Sequence, residues 1–236
     1  VILLWEGSGM SLPTPPADWL LLVDTSAAQG RLDCSVFVKA GVSGIWHKAT
    51  EGLHDVDTQW KASAASSLAN KLPFGAYGVL EPYGSTKAQA QANHFCDTIE
   101  NTGWTLAPWL DFELAHGVSG LDALTAAAIW CDAVEQRLGR GVCVYTGPSF
   151  IQTLEKYAGH TADAVLAKLG ARPLVVAHYN GGPPKSPMVP PPWKDWTIWQ
   201  ASGDHAAKIP GTTKDIDVDF FRGTIDDLLG IGVSLV

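Results

Sequence analysis

Eight short apolar runs recur along the chain, rich in β-branched, aromatic and aliphatic residues and each bounded by Gly, Pro, Asn or Asp. They are WLLLVDTS (19–26), GIWHKATE (44–51), FGAYGVL (74–80), LAPWLDFE (106–113), GVCVYTG (141–147), PLVVAHY (173–179), WTIWQAS (196–202) and DIDVDFF (215–221). Each reads as a strand. Between the early ones the pattern turns helical, over 57–72, 85–102 and 119–139. The last of these carries apolar residues at Leu121, Leu124, Ala128, Cys131, Val134 and Leu138, close to a period of about 3.6, and stops at Gly139. Two further helices are predicted over 148–157 and 161–169.

After the sixth strand the alternation fails. The connection NGGPPKSPMVPPPWKD carries six prolines and cannot be helical, and GDHAAKIPGTTK is equally irregular. Nearly continuous apolar strands with crossover helices indicate a parallel sheet. Eight of them, five with helices and three without, predict one α/β domain closed as a TIM-like barrel of (β/α)5(β)3 type over residues 19–236. Residues 1–18 are expected to be an N-terminal extension, with Met10 before SLPTPP marking residues 1–9 as an upstream remnant. A doubly wound open sheet is the alternative fold, but its GxGxxG turn after the first strand is absent.

Composition narrows the partners. The 236 residues are 46% hydrophobic and only 17% charged, with ten tryptophans and fifteen prolines, which fits a large core rather than disorder. A net charge of -8 and a pI near 5.2, with no Lys/Arg-rich stretch, argue against nucleic acid. No apolar stretch approaches a membrane span, and VILLW lacks the basic flank and cleavage site of a signal peptide. Cys34, Cys96, Cys131 and Cys143 form no CxxC pair and read as buried thiols, although a Cys131–Cys143 bridge is a second reading.

The strands finish in polar or aromatic residues: Asp24, Lys48 and Glu51, Tyr77, Asp111 and Glu113, Tyr145, Tyr179, Gln200, then Asp217 and Asp219. Barrel enzymes build their sites at strand C-terminal ends. Side chains two apart on a strand face the same way, so Asp111 and Glu113 should stand about 6 to 7 Å apart. Two carboxyls facing a pocket suit glycosidic cleavage, in which one protonates the leaving oxygen and its ionised partner stabilises the oxocarbenium-like state or activates water. Glu113, longer and nearer the mouth, is the better acid. The other reading is that both acids cap the following helix. Their spacing falls between the retaining and inverting ranges and leaves the stereochemistry open. Tyr77, Tyr145, Tyr179, Trp196 and Trp199 on or beside strand ends favour a glycan, whose rings stack on aromatic faces.

The ordered set VDTSAAQGRLD, KATEG, GAY, LDFE, VYTG, VAHY, WTIWQAS and IDVDFFRG resembles the Chalaropsis-type lysozymes of glycoside hydrolase family 25, over about residues 20 to 224. The resemblance implies a (β/α)5(β)3 barrel that hydrolyses the β-1,4 bond between N-acetylmuramic acid and N-acetylglucosamine in peptidoglycan. By motif it implies Asp24, Asp111, Glu113 and Asp217 as catalytic carboxylates, with Glu113 the proton donor. Lys48, Glu51, Tyr77, Tyr145, Tyr179, Trp199 and Gln200 would line the groove. It implies no metal and no cofactor. Thr25, Trp46, His47 and the segment GAYGVLEPYGS depart from the family pattern, and they bear on groove preference more than on chemistry.

Three rivals remain. A chitinase-like glycosidase would need a longer run of alternating acids before Glu113 than WLDFE supplies. A non-catalytic glycan-binding barrel is disfavoured by the four motif acids. A metallo-amidase fails on ligands, since the seven histidines form no HxH, HxxxH or HExxH. The expected partner is therefore bacterial peptidoglycan, without nucleic acid or membrane, approached by a monomer. Its place of action is the cell wall, reached by a secreted enzyme or by a phage lysin released through a holin.

Overall fold

A computed structural model describes residues 12–209 and 212–233, apart from the side chains of residues 204–206. Residues 1–11 of the expected extension lie outside the described residues. Eight strands close into a barrel: β1 (Trp19–Thr25), β2 (Gly44–Glu51), β4 (Phe74–Val79), β5 (Trp109–Asp111), β6 (Cys143–Thr146), β7 (Leu174–Ala177), β8 (Ile198–Ala207) and β9 (Ile216–Arg222). A two-residue β3 (Asp55–Val56) hooks back onto the end of β2. Helices α2 (Trp60–Ala69), α3 (Ser85–Ile99), α4 (Gly120–Leu138), α5 (Pro148–Ala158) and α6 (Asp163–Gly170) cover the barrel. They match the helices expected from the sequence, with ends shifted by up to three residues. The α4 helix starts at the Ser119 cap and ends at Gly139, whose φ of 63° is the left-handed turn that favours glycine.

The sheet departs from a parallel barrel at one strand. β8 continues the parallel order beside β7, but β9 runs antiparallel to both β8 and β1. With no helix among the described residues between β8 and β9, a reversal is the short route back to the sheet. Two helices went unread in the sequence. α1 (Cys34–Lys39) is capped by Asp33, and α7 (Ile225–Gly230) follows β9. Leu228 of α7 is fully buried against the barrel interior, where a Cβ on Gly44 would meet it together with Leu22 and Leu106.

Strand parity divides the core. Inward residues Leu22, Trp46, Trp109, Cys143, Tyr145, Val175, Ile198 and Phe221 fill the barrel. Outward residues such as Val23, Ile45, Leu110, Val144, Val176, Trp199 and Phe220 pack with the helices. All four cysteines are buried free thiols, so Cys131 and Cys143 are not bridged. The departures at Thr25, Trp46 and His47 follow the same parity. Outward-facing Thr25 meets His47 Nδ1 at 2.8 Å, and His47 Nε2 meets Asp57 Oδ1 at 3.1 Å. Asp57 also accepts the Ala27 and Gln59 amides at 2.7 and 2.8 Å, which ties the segment after β1 to the entry of α2.

Inward-facing Trp46 stacks on Trp109 with ring centroids 4.2 Å apart and donates to the Ala107 carbonyl at 2.9 Å. Its indole lies over Gly75 of the neighbouring strand, where a Cβ would fall 2.2 Å from Nε1. With its ring and its N–H both held, Trp46 has nowhere to yield. Gly75→Ala is expected to destabilise the fold by about 2 kcal/mol, read as a lowered melting temperature. A variant as stable as the parent would mean that the barrel interior is not rigidly filled.

Candidate active site

A cavity of about 420 Å³, counting its open mouth, is lined by Asp24, Tyr77, Trp109, Asp111, Glu113, Tyr145, Gln200 and Asp217. These come from β1, β4, β5, β6, β8 and β9, and all have inward parity. On the parallel strands they stand toward the C-terminal ends of the parallel ladders, Gln200 being the last β8 residue paired with β7. On β9 the reversed direction brings the first residues to the same mouth, with Asp217 opposite Asp24. The extended chain continues past β5, because Leu80 N–H donates to Asp111 O at 3.0 Å and Phe112 N–H to Tyr145 O at 2.9 Å. Asp111 and Glu113 therefore share a face. Neither caps α4, whose cap is Ser119.

Hydrogen bonds fix the floor. Tyr145 and Tyr179 both donate to Gln200 Oε1, at 2.8 and 2.6 Å, which turns the amide so that Nε2 donates to Asp24 Oδ2 at 2.6 Å. Lys48 pairs with Glu51 at 2.8 Å on the rim. Asp111 Oδ1 and Trp109 Nε1 are buried and bond to no described residue.

Burial and like charge act together on the acids. Asp111 is raised well above the usual carboxylate range by desolvation, then by Glu113 and Asp24, against a lowering by Lys48. Desolvation raises Glu113 even though it stands exposed at the rim. Asp24 is pushed up by burial and by Asp219, while the Gln200 amide opposes the rise. The Tyr77 and Tyr145 phenols, buried among these acids, stay protonated and serve as neutral donors. Among the described residues no group of three or more His, Cys, Asp or Glu is arranged to hold a metal ion.

Residues 23–210 match the family profile described as glycosyl hydrolases family 25. The chain belongs to glycosyl hydrolase family 25. As a member of that family it is a glycoside hydrolase. Lysozyme M1 of Streptomyces globisporus is 28% identical over 221 residues, 89% of this chain and 70% of that protein. The autolytic lysozyme of Clostridium acetobutylicum is 26% identical over 160 residues, and the match spans 67% of this chain and 48% of that relative, about half its length. The crystal structure of the bacterial lysozyme from Streptomyces coelicolor aligns with a TM-score of 0.75 at 26% identity, over 92% of this chain and 98% of that one.

Within this family 25 barrel, Asp24, Tyr77, Asp111, Glu113, Tyr145, Gln200 and Asp217 meet at the cavity. Lys48 and Glu51 stand beside it, and Tyr179, 59% exposed, reaches it through Gln200. Trp199 does not belong with them. It has the opposite parity to Gln200, is fully buried against Trp196 and Phe220, and donates to His178 O at 2.9 Å outside the barrel. Trp109 also lines the cavity, although it was not among the groove residues expected from the sequence. The signal was there, since it lies two residues before Asp111.

Gln200→Leu removes the donor that holds Asp24 and the acceptor of two phenols. The expected cost is about 2 kcal/mol, or a melting temperature lower by roughly 4 to 8 °C. An unchanged melting temperature would show that Gln200 does not organise the floor.

Proposed function

We propose that this family 25 hydrolase is a lysozyme, cleaving the β-1,4 bond between N-acetylmuramic acid and N-acetylglucosamine with Glu113 as general acid. Asp111, Asp24 and Asp217 assist as the acidic floor. The observation that carries this reading is the convergence of these four acids on one aromatic-lined mouth in a chain of this family.

Glu113 stands at the rim, where a glycosidic oxygen can reach it, and desolvation favours its protonated form. Asp111 lies deeper. Desolvation raises both and Glu113 further raises Asp111, so the pair disfavours two negative charges. Burial holds a proton more strongly at Asp111 in the resting site, but Lys48 and the positive charge that develops on the sugar favour the anion there, which leaves the proton on Glu113 for the leaving oxygen. The phenols of Tyr77 and Tyr145 can donate to substrate hydroxyl or acetamido oxygens. With net charge -8 the protein is not steered electrostatically toward an anionic wall, so affinity must come from groove contacts. Its place of action is the cell wall, and a monomer carries a complete site.

Glu113→Gln should abolish lysis while leaving the melting temperature and wall binding intact. Near-parental clearing by that variant would remove Glu113 from the acid role. Asp111→Asn should lower kcat more than it raises KM. Because Glu113 must be protonated to act, kcat/KM should fall as pH rises through its raised pKa, with the fall displaced to higher pH than an ordinary glutamate would give. Mass analysis of digested peptidoglycan should find new reducing N-acetylmuramic acid ends. Reducing N-acetylglucosamine ends or free peptides would refute the bond assignment.

A further inference from the structure

Asp219 has no part in the reaction above. It sits on β9 two residues after Asp217, facing inward, and is fully buried without lining the cavity. Across the sheet it lies opposite Leu22 on β1 and Gln200 on β8. Asp24 is the next inward residue of β1 beside it, one step on from Leu22, and the two carboxyls lie within hydrogen-bonding reach. Yet neither Asp219 oxygen accepts a hydrogen bond from an N–H or O–H group of any described residue.

Two ionised carboxylates cannot hydrogen-bond to each other, and a buried anion without a donor is costly. The one hydrogen that can satisfy this contact is a proton between the two acids. We propose that Asp24 and Asp219 share a single proton, and that Asp219 is the positioning residue that holds Asp24 in place opposite the Gln200 amide. Asp24 is then gripped from both sides, by Gln200 Nε2 at 2.6 Å and by the Asp219 carboxyl.

The surroundings agree. The groups acting on Asp219 are Asp217 and Asp24, and burial with Asp217 pushes its carboxyl up to about 8. Those acting on Asp24 include Asp219 and Glu113, which raise it, and the Gln200 amide, which lowers it. The phenols of Tyr77, Tyr145 and Tyr179 also feel the charge of Asp24. With one proton between them the pair carries one negative charge, the proton having come from solvent. Loss of that proton leaves two carboxylates that repel.

The catalytic consequence rests on the lysozyme reading, but the proton does not, and the two are tested separately in the full chain. Infrared difference spectra at pH 7 should show a protonated-carboxyl band in the parent that is lost in Asp219→Asn. A carboxyl raised in the folded state stabilises it most below its unfolded value and loses that contribution as pH climbs to the folded value. The melting temperature of the parent should therefore fall more steeply than that of Asp219→Asn as pH rises from the ordinary carboxyl range to the raised value of about 8. An unchanged band and an unchanged pH slope in the variant would overturn the shared proton. Asp219→Asn can still donate to Asp24, so its kcat at pH 7 should stay within a few-fold of parental. Asp219→Leu cannot donate, and its kcat should drop of order tenfold to a hundredfold with KM little moved. Equal kcat in the two variants would overturn the positioning role. Cleavage at another bond by the parent would count against the lysozyme reading and leave the spectroscopic result standing.

Discussion

The pairing of β9 between β1 and β8 governs the mouth of the barrel. Because β9 runs antiparallel, its leading residues rather than its trailing ones arrive beside the C-terminal ends of the parallel strands. Asp217 comes opposite Asp24, and Asp219 follows one inward position deeper. Inserted parallel, the same strand would carry both acids to the far end, where α7 seats Leu228 in the apolar interior. Ladder direction thus decides whether these carboxyls join a reactive cluster or become buried charges with nothing to do.

That cluster is an electrostatic problem before it is a catalytic one. Asp24, Asp111, Glu113, Asp217 and Asp219 crowd one end of a low-dielectric interior, and they cannot all ionise at neutral pH. The local counterweights are modest. Lys48 acts on Asp111 and the Gln200 amide acts on Asp24, while the phenols around them are neutral. A site held in this state keeps protons on acids that would lose them in water, which is the condition general-acid chemistry needs. Paired strands hold the carboxyls close despite their repulsion, so the stability of the barrel maintains the strain at its mouth.

Much of this was legible in the chain. The eight strands and five crossover helices follow from apolar periodicity, and the spacing of Asp111 and Glu113 placed both on one face. Trp199 was misread because its aromatic character suggested a groove residue, whereas parity with Gln200 sends it to the outer core. The short α1 and α7 escaped because neither is long enough to display a helical period. Asp219 was visible as an acid, but its burial against Asp24 depends on the reversal of β9, which periodicity cannot reveal. The polar residues at Thr25 and His47 gave no hint of the chain they join, since Asp57 lies beyond a turn and meets His47 only when β2 and the start of α2 pack together.

The departure at Trp46, with its stacking partner Trp109, joins the fold to the chemistry. Two stacked indoles need space within the barrel, and Gly75 supplies it by having no side chain beneath Trp46. Tyr145 extends the stack, parallel to Trp109 at 6.4 Å. The result is an aromatic platform directly under the acids, filling the interior where a deeper and wetter cavity could lie. Burial is the first cause of the raised carboxyls at Asp24 and Asp111, and this platform supplies part of that burial. A residue as remote from the reaction as Gly75 therefore bears on the protonation of the site, because the indole it admits keeps water from beneath the carboxyls.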